Sequence, residues 1–208
     1  SYVITVKDNC GVEKSTGSIV ITEPAELSIS EGSHTNITCH GASTGSITVN
    51  VTGGTANYMY KINSGSYSAA TSATSKTFSN LAAGSYVITV KDNCGVGKST
   101  GSIVITEPAE LTVADITNAG NYCLNETPTA LSTSASGGNG DYTYQWQSSA
   151  NHSDWINVGV NSSTYTPSTS SAGTTYYRVK VSDDCVEVTL DYVTIIVESP
   201  SISSITAS

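Results

Sequence analysis

Five cysteines are the residues in this 208-residue chain whose type and spacing most clearly do chemistry: Cys10, Cys39, Cys94, Cys123 and Cys185. The interval from 10 to 39 equals that from 94 to 123, so the thiols follow a period. Two disulfide schemes respect it: Cys10–Cys39 with Cys94–Cys123, or Cys39–Cys94 with Cys123–Cys185. Each leaves one cysteine over. Closing loops of this length stabilises a domain by about 4 kcal/mol in the chain-entropy treatment. Period-locked cysteines in a chain with 63 Ser and Thr residues point to an oxidising, extracellular setting.

Other chemistry-bearing strings are weaker. Gly41-Ala42-Ser43-Thr44-Gly45 fits a nucleophile-elbow pattern, but that motif needs a strand turning into a helix, and here another strand follows. Gly97-Lys98-Ser99-Thr100 resembles the tail of a phosphate loop. Its copy reads Glu13-Lys14-Ser15-Thr16, no helix follows, and the plain reading is a hairpin tip. No catalytic residue is expected. His34, His40 and His152 have no metal-ligand spacing and read as surface residues. Carboxylates and an amide do recur at the junctions: Glu23, Glu26 and Glu31 with Asp92 and Asn93, then Glu107, Glu110 and Asp115 with Asp183 and Asp184. Hard oxygen ligands converging there would suit Ca²⁺, with Glu26, Glu31, Asp92, Asn93, Glu110, Asp115, Asp183 and Asp184 as its ligands. A solvated acidic linker is the preferred reading, and no other cofactor is expected. Tyr67 and Trp155 are candidates for a glycan platform, whereas Trp146 belongs to a core.

Composition narrows the classes of function. Lys and Arg number 8 against 17 Asp and Glu, for a net charge of −9, and Arg178 is the single arginine. Such a chain cannot present the basic face that nucleic acid requires. No stretch nears the roughly 18 apolar residues of a membrane span, so no membrane insertion by this segment is expected, and no basic-then-apolar leader opens the chain. Beginning mid-strand at Ser1–Val6, it reads as a piece of something longer.

Residues 1–27 recur as residues 85–111 with one difference, Glu13 against Gly97, a period of 84. Such close copies imply tandem duplication and an array of units. The expected division is a truncated repeat at 1–26, a complete repeat at 27–110, a divergent module at 111–198, and a linker to the next module at 199–208. Alternating runs at Gly45–Thr52, Asn57–Ile62, Lys76–Phe78, Ser85–Lys91 and Ser102–Thr106, bounded by Gly, Asn and Ser, predict strands. Tyr142, Tyr144 and Trp146 share one face of another. The fold class is therefore all-β, tandem Ig-like antiparallel β-sandwich modules with disulfides. If Cys39 and Cys94 lie at the same pole of one sandwich while Cys123 lies tens of ångströms away, the 7 Å reach of a disulfide selects Cys39–Cys94 and Cys123–Cys185. Cys10 is then unpaired because its partner lies upstream.

The motif Cys39-x-Gly41-x-x-x-Gly45-x-Ile47-x-Val49, with Gly53-Gly54-Thr55, Tyr58-x-Tyr60 and Leu81-x-x-Gly84-x-Tyr86-x-Ile88-x-Val90-x-Asp92-x-Cys94, resembles a SprB repeat. That repeat belongs to the gliding-motility surface adhesins of Bacteroidota. Residues 121–197, with Tyr-Gln-Trp-Gln at 144–147 and Thr175-Tyr176-Tyr177-Arg178-Val179, resemble Ig-like modules found beside such repeats, although Cys185 does not stand where immunoglobulin cysteines do. The resemblance implies type IX secretion, a location at the outer cell surface, and a non-enzymatic stalk for attachment and gliding. Its partners would be an external surface or polysaccharide and neighbouring modules of the same chain. A carbohydrate-binding accessory region and a purely structural surface filament are the rivals.

Overall fold

The computed structural model describes residues 1–200, and the expected linker at 199–208 lies mostly outside them. The described residues are all-β, with no helix among them. The chain forms two compact units, the first built by Ser1–Thr35 with Gly45–Ile105, the second by Asn36–Thr44 with the chain from Thr106 onward.

In the first unit the strands are β1 (Thr5–Lys7), β2 (Glu13–Ser15), β3 (Ser28–Thr35), β4 (Gly45–Thr52), β5 (Met59–Ile62), β6 (Ser75–Leu81), β7 (Gly84–Tyr86), β8 (Ile88–Lys91), β9 (Gly97–Ser99) and β10 (Ile103–Ile105). They pair as two three-stranded antiparallel sheets, β3-β4-β6 and β5-β8-β9, with the ribbon β7-β10 and the hairpin β1-β2. Alternation decides which side chains are buried. Ile47, Val49 and Val51 on β4, Tyr60 on β5, Ile88 and Val90 on β8 and Ile103 and Ile105 on β10 form the core. Each such side chain removed from water contributes roughly 2 kcal/mol. The buried tyrosines keep their hydroxyls satisfied, Tyr58 donating to the Gly53 carbonyl at 2.7 Å and Tyr60 to that of Ala73 at 2.8 Å.

Three strands of this unit were not legible from the sequence. β3, Ser-Ile-Ser-Glu-Gly-Ser-His-Thr, is almost wholly polar and exposed, because it lies at the edge of its sheet on β4 alone. β9 occupies Gly97–Ser99 and its copy β2 occupies Glu13–Ser15, where a hairpin tip was expected; the tips are the preceding turns, Asp92–Val96 and Asp8–Val12.

The second unit contains β11 (Thr112–Val113), β12 (Asn121–Cys123), β13 (Leu131–Ser132), β14 (Ala135–Ser136), β15 (Thr143–Ser149), β16 (Ile156–Val158), β17 (Thr164–Tyr165), β18 (Gly173–Ser182), β19 (Glu187–Thr189) and β20 (Val193–Glu198). Its main sheet runs β12-β20-β18-β15-β16, with β19 also on β18; the ribbons β11-β14 and β13-β17 complete it. β12 joins β20 in parallel. Leu131, Trp146, Tyr177, Val179, Val181, Ile195 and Val197 make the core, and Trp146 Nε1 donates to the Ser162 carbonyl at 2.9 Å.

Candidate functional site

Both units build the same structure around a Gly-Gly pair, an aspartate turn and a cysteine. In the first, Gly54 N donates to the Ala25 carbonyl at 2.7 Å, and Gly53 holds φ +67°. A Cβ at Gly53 would sit 2.0 Å from the Glu26 carbonyl oxygen, so no other residue fits without moving the backbone. In the second unit Gly138 N donates to the Ala109 carbonyl at 2.8 Å, and a Cβ at Gly137 would sit 2.0 Å from the Glu110 carbonyl oxygen. Tyr142 repeats the hydroxyl bond of Tyr58, reaching the Gly137 carbonyl at 2.6 Å.

The aspartates lock this pole. Asp92, 3% exposed, accepts the amides of Thr55 at 3.0 Å and Val96 at 2.8 Å. Those donors, Thr55 foremost, hold its carboxyl below the usual carboxylate range against the opposing effect of desolvation. Asp183 accepts the amides of Val186 (2.8 Å), Cys185 (2.9 Å) and Asn139 (3.1 Å) and is lowered for the same reason. Glu26 is lowered by its hydrogen bond and charge pairing with Lys98 at 2.7 Å.

These bonds bear on the calcium expectation. Asp92 and Asp183 spend their oxygens on backbone amides, Glu26 faces Lys98, and Glu31 is paired with His34. Asn93 donates its backbone N–H to the Thr55 carbonyl. No set of three or more His, Cys, Asp or Glu side chains among the described residues stands close enough to hold a metal ion.

The disulfide differs from both expected pairings. Cys39 is bonded to Cys185, with Cα atoms 5.5 Å apart, while Cys10, Cys94 and Cys123 are free and exposed. The expected Cys39–Cys94 pair fails on pole. β3 starts next to Leu27, which packs on Gly54, and runs eight residues, about 26 Å, so the strand that leads to Cys39 runs away from the Asp92–Cys94 turn within the first unit. Cys123 fails similarly: it ends β12, paired to the end of β20, whereas Cys185 follows Asp183 beside Gly138.

Loop Asn36–Thr44 belongs to the second unit through specific bonds. Ile37 N donates to the Thr106 carbonyl at 2.9 Å, Thr106 N to Asn36 Oδ1 at 2.9 Å, His40 Nδ1 to the Pro108 carbonyl at 3.0 Å, and Gly41 N to Glu107 Oε2 at 2.6 Å. Ile37 is buried. Cys39 and His40 thereby wall a groove whose other residues include Glu110, Leu111, Gly138, Asp183 and Val186. Sequence reasoning did not assign this role to the loop. Its signal was present in the repeated Thr-Glu-Pro-Ala-Glu-Leu at 22–27 and 106–111. Gly41–Gly45 lies partly in this loop, without the strand-to-helix turn of a nucleophile elbow.

Each aromatic candidate has a cation over its ring, although Tyr67 itself stays exposed. Trp155 carries the Arg178 guanidinium 4.2 Å from its ring centre, and Tyr67 has Lys61 Nζ at 5.1 Å. A cluster the sequence did not reveal adjoins Trp155: the His152 ring stacks on Tyr192 at 4.6 Å and meets the edge of Tyr176 at 3.7 Å.

Comparison with known proteins places part of this chain. Residues 32–66 match the SprB repeat, and residues 112–199 match a domain of unknown function, DUF8696. No curated protein matches the chain. Similar solved structures include three N-terminal domains of the bacteriophage RB49 Highly Immunogenic Outer Capsid protein (17% identity, 83% of this chain and 59% of that one, TM-score 0.41). Clostridium thermocellum CbhA fibronectin(III)-like modules are another (14% identity, 87% and 100%, TM-score 0.34). Neither carries an argument about mechanism. The match at residues 32–66 fits a repeat segment of a surface protein.

Proposed function

We propose that the chain is a non-enzymatic repeat segment of a large secreted adhesin, part of an extended stalk serving surface attachment and gliding motility outside the cell. The near-identical recurrence of residues 1–27 at 85–111 carries this reading, together with the SprB match at 32–66. Type IX secretion and an external surface or polysaccharide as partner follow from the same family resemblance.

Mechanically, the disulfide decides what a pulled chain can do. Cys39 and Cys185 are 146 residues apart in sequence. Tension applied at the two ends passes across the sulfur–sulfur bond and bypasses β4 through β18. Single-molecule pulling of the oxidised chain is therefore expected to give a final length about 500 Å shorter than that of the reduced chain, at about 3.5 Å per residue. Equal lengths would remove the limiting role of the bond. In the parent protein, excising whole 84-residue periods should slow attachment and spreading while leaving export intact; unchanged attachment would favour the structural-filament reading.

A further inference from the structure

The groove that Cys39 and His40 wall in the second unit has a counterpart in the first, without that wall. There Pro24, Glu26, Leu27, Gly54, Asp92 and Val96 line a space of 300 Å³ into which Cys94 opens. These correspond to Pro108, Glu110, Leu111, Gly138, Asp183 and Val186. The segment Thr22 to Leu27 is identical in sequence to Thr106–Leu111, the stretch that accepts three hydrogen bonds from loop Asn36–Thr44 and donates one to it in the second unit. The Cys94 thiol is free and exposed, its Sγ donating only to Thr55 Oγ1 at 3.4 Å.

We propose that this groove is the docking site for a loop of the Asn36–Thr44 type carried by another repeat of the array, whose cysteine bonds to Cys94. The array is thus laced by a ladder of disulfides, each from the loop cysteine of one repeat to the turn cysteine of the next. Cys39 in its loop and Cys123 at the end of β12, 84 residues apart, stand at corresponding positions of the repeat; Cys10, Cys94 and Cys185 are turn cysteines. Cys123 accordingly takes the turn cysteine of a following unit. Bond formation removes two electrons and two protons from the thiol pair, which a disulfide oxidant accepts in becoming a dithiol. The proposal rests on the repeat-array reading above.

Cys10 supplies an internal control. Its turn, Val6–Val12, is identical in sequence to Val90–Val96 and has the same aspartate-to-amide bonds, but no Gly-Gly wall stands beside it among the described residues. The probe is a synthetic peptide of residues 34–44, its cysteine blocked as a mixed disulfide with glutathione. A protein thiolate attacks the peptide sulfur and glutathione leaves as its thiolate. With Cys39–Cys185 intact, peptide mapping should show Cys94 modified roughly tenfold faster than Cys10, since docking raises the local concentration of the peptide. A scrambled peptide should modify the two equally. Glu23→Gln, which removes the counterpart of the Glu107 carboxylate that accepts the Gly41 amide, should cut the advantage of Cys94. Equal rates with the native peptide, or the same preference with the scrambled one, would overturn the docking site. Either result would leave the stalk reading to its own pulling test, whose failure in turn would not alter these rates.

Discussion

Residues 1–27 and 85–111 differ at one position, yet they occupy opposite environments. Ile4 is 57% exposed where its counterpart Ile88 is 0%, and Ile21 is 73% exposed where Ile105 is 1%. Local structure is nevertheless the same. Thr5 stands opposite Ser15 as Thr89 stands opposite Ser99, with hydroxyls 2.7 and 2.9 Å apart. Ile4 N donates to Thr16 Oγ1 at 3.1 Å, as Ile88 N does to Thr100 Oγ1 at 3.0 Å. The hairpin is thus written within about a dozen residues. Its burial is supplied by Leu27, β4 and β5, which the first copy does not have around it. Identical sequence carries a turn and a register, while the hydrophobic contribution belongs to the neighbours.

The largest test of that contrast is a matched pair of core truncations. Ile88→Ala should destabilise the first unit by about 3 kcal/mol, the usual cost of emptying a fully buried site. Ile4→Ala should stay within about 0.5 kcal/mol. Denaturant titration of the two variants measures both. Comparable losses would mean that Ile4 is buried in solution and that the hairpin β1-β2 has found a partner for its apolar face.

The two turns give a second, smaller contrast, in acid. Asp8 accepts the amides of Cys10 and Val12, both inside its own turn. Asp92 accepts Val96 in the turn and also Thr55, 37 residues away. Because these amides lower the folded pKa of Asp92, its stabilisation is complete above the unfolded value of about 3.9 and is lost as the pH falls through the lower folded value. Melting temperature should therefore drop as the pH falls below about 4. Asp92→Asn should flatten this acid limb and lower the melting temperature at neutral pH, because an amide group must turn a donor towards Thr55 or Val96. Asp8→Asn, whose bonds stay inside its own exposed turn, should leave the melting temperature at neutral pH unchanged. An acid limb that survives Asp92→Asn would place its origin in other carboxylates.

The alternating strands were legible because their period of two is a direct imprint of burial: Gly45–Thr52 is strand β4 with those limits. β3 was not, since an exposed edge strand needs no apolar alternation and is held by backbone pairing to β4, which any sequence can supply. The Gly-Gly pair and the Asp-x-Cys turn could be aligned between units from the sequence, and the structure gives both the same bonds. The disulfide was misread for a geometric reason. Cysteine spacing carries the period of the array but not the pole at which a loop emerges, and that depends on β3, the strand that could not be seen. The docking of Asn36–Thr44 on Thr106–Pro108 was hidden similarly, because it involves backbone carbonyls and a loop with no apolar pattern apart from Ile37.

The single substitution between the copies provides the smallest effect and the closest control. Glu13 lies opposite Lys7 in the hairpin register and pairs with it at 3.2 Å, with both side chains exposed. Gly97 lies opposite Lys91, at an ordinary φ, and a Cβ there would meet nothing nearer than the Val90 carbonyl oxygen at 3.7 Å. Gly97→Glu should therefore be accommodated without strain. It should stabilise the first unit by less than about 1 kcal/mol, through a cross-strand ion pair and the lost freedom of glycine in the unfolded chain. The gain should shrink with added salt. A destabilisation instead would show that a carboxylate at this position draws Lys98 away from Glu26. The lysine pairing at the module pole would then outweigh the pairing across the hairpin, and the one difference between the copies would be tied to the groove beside Cys94.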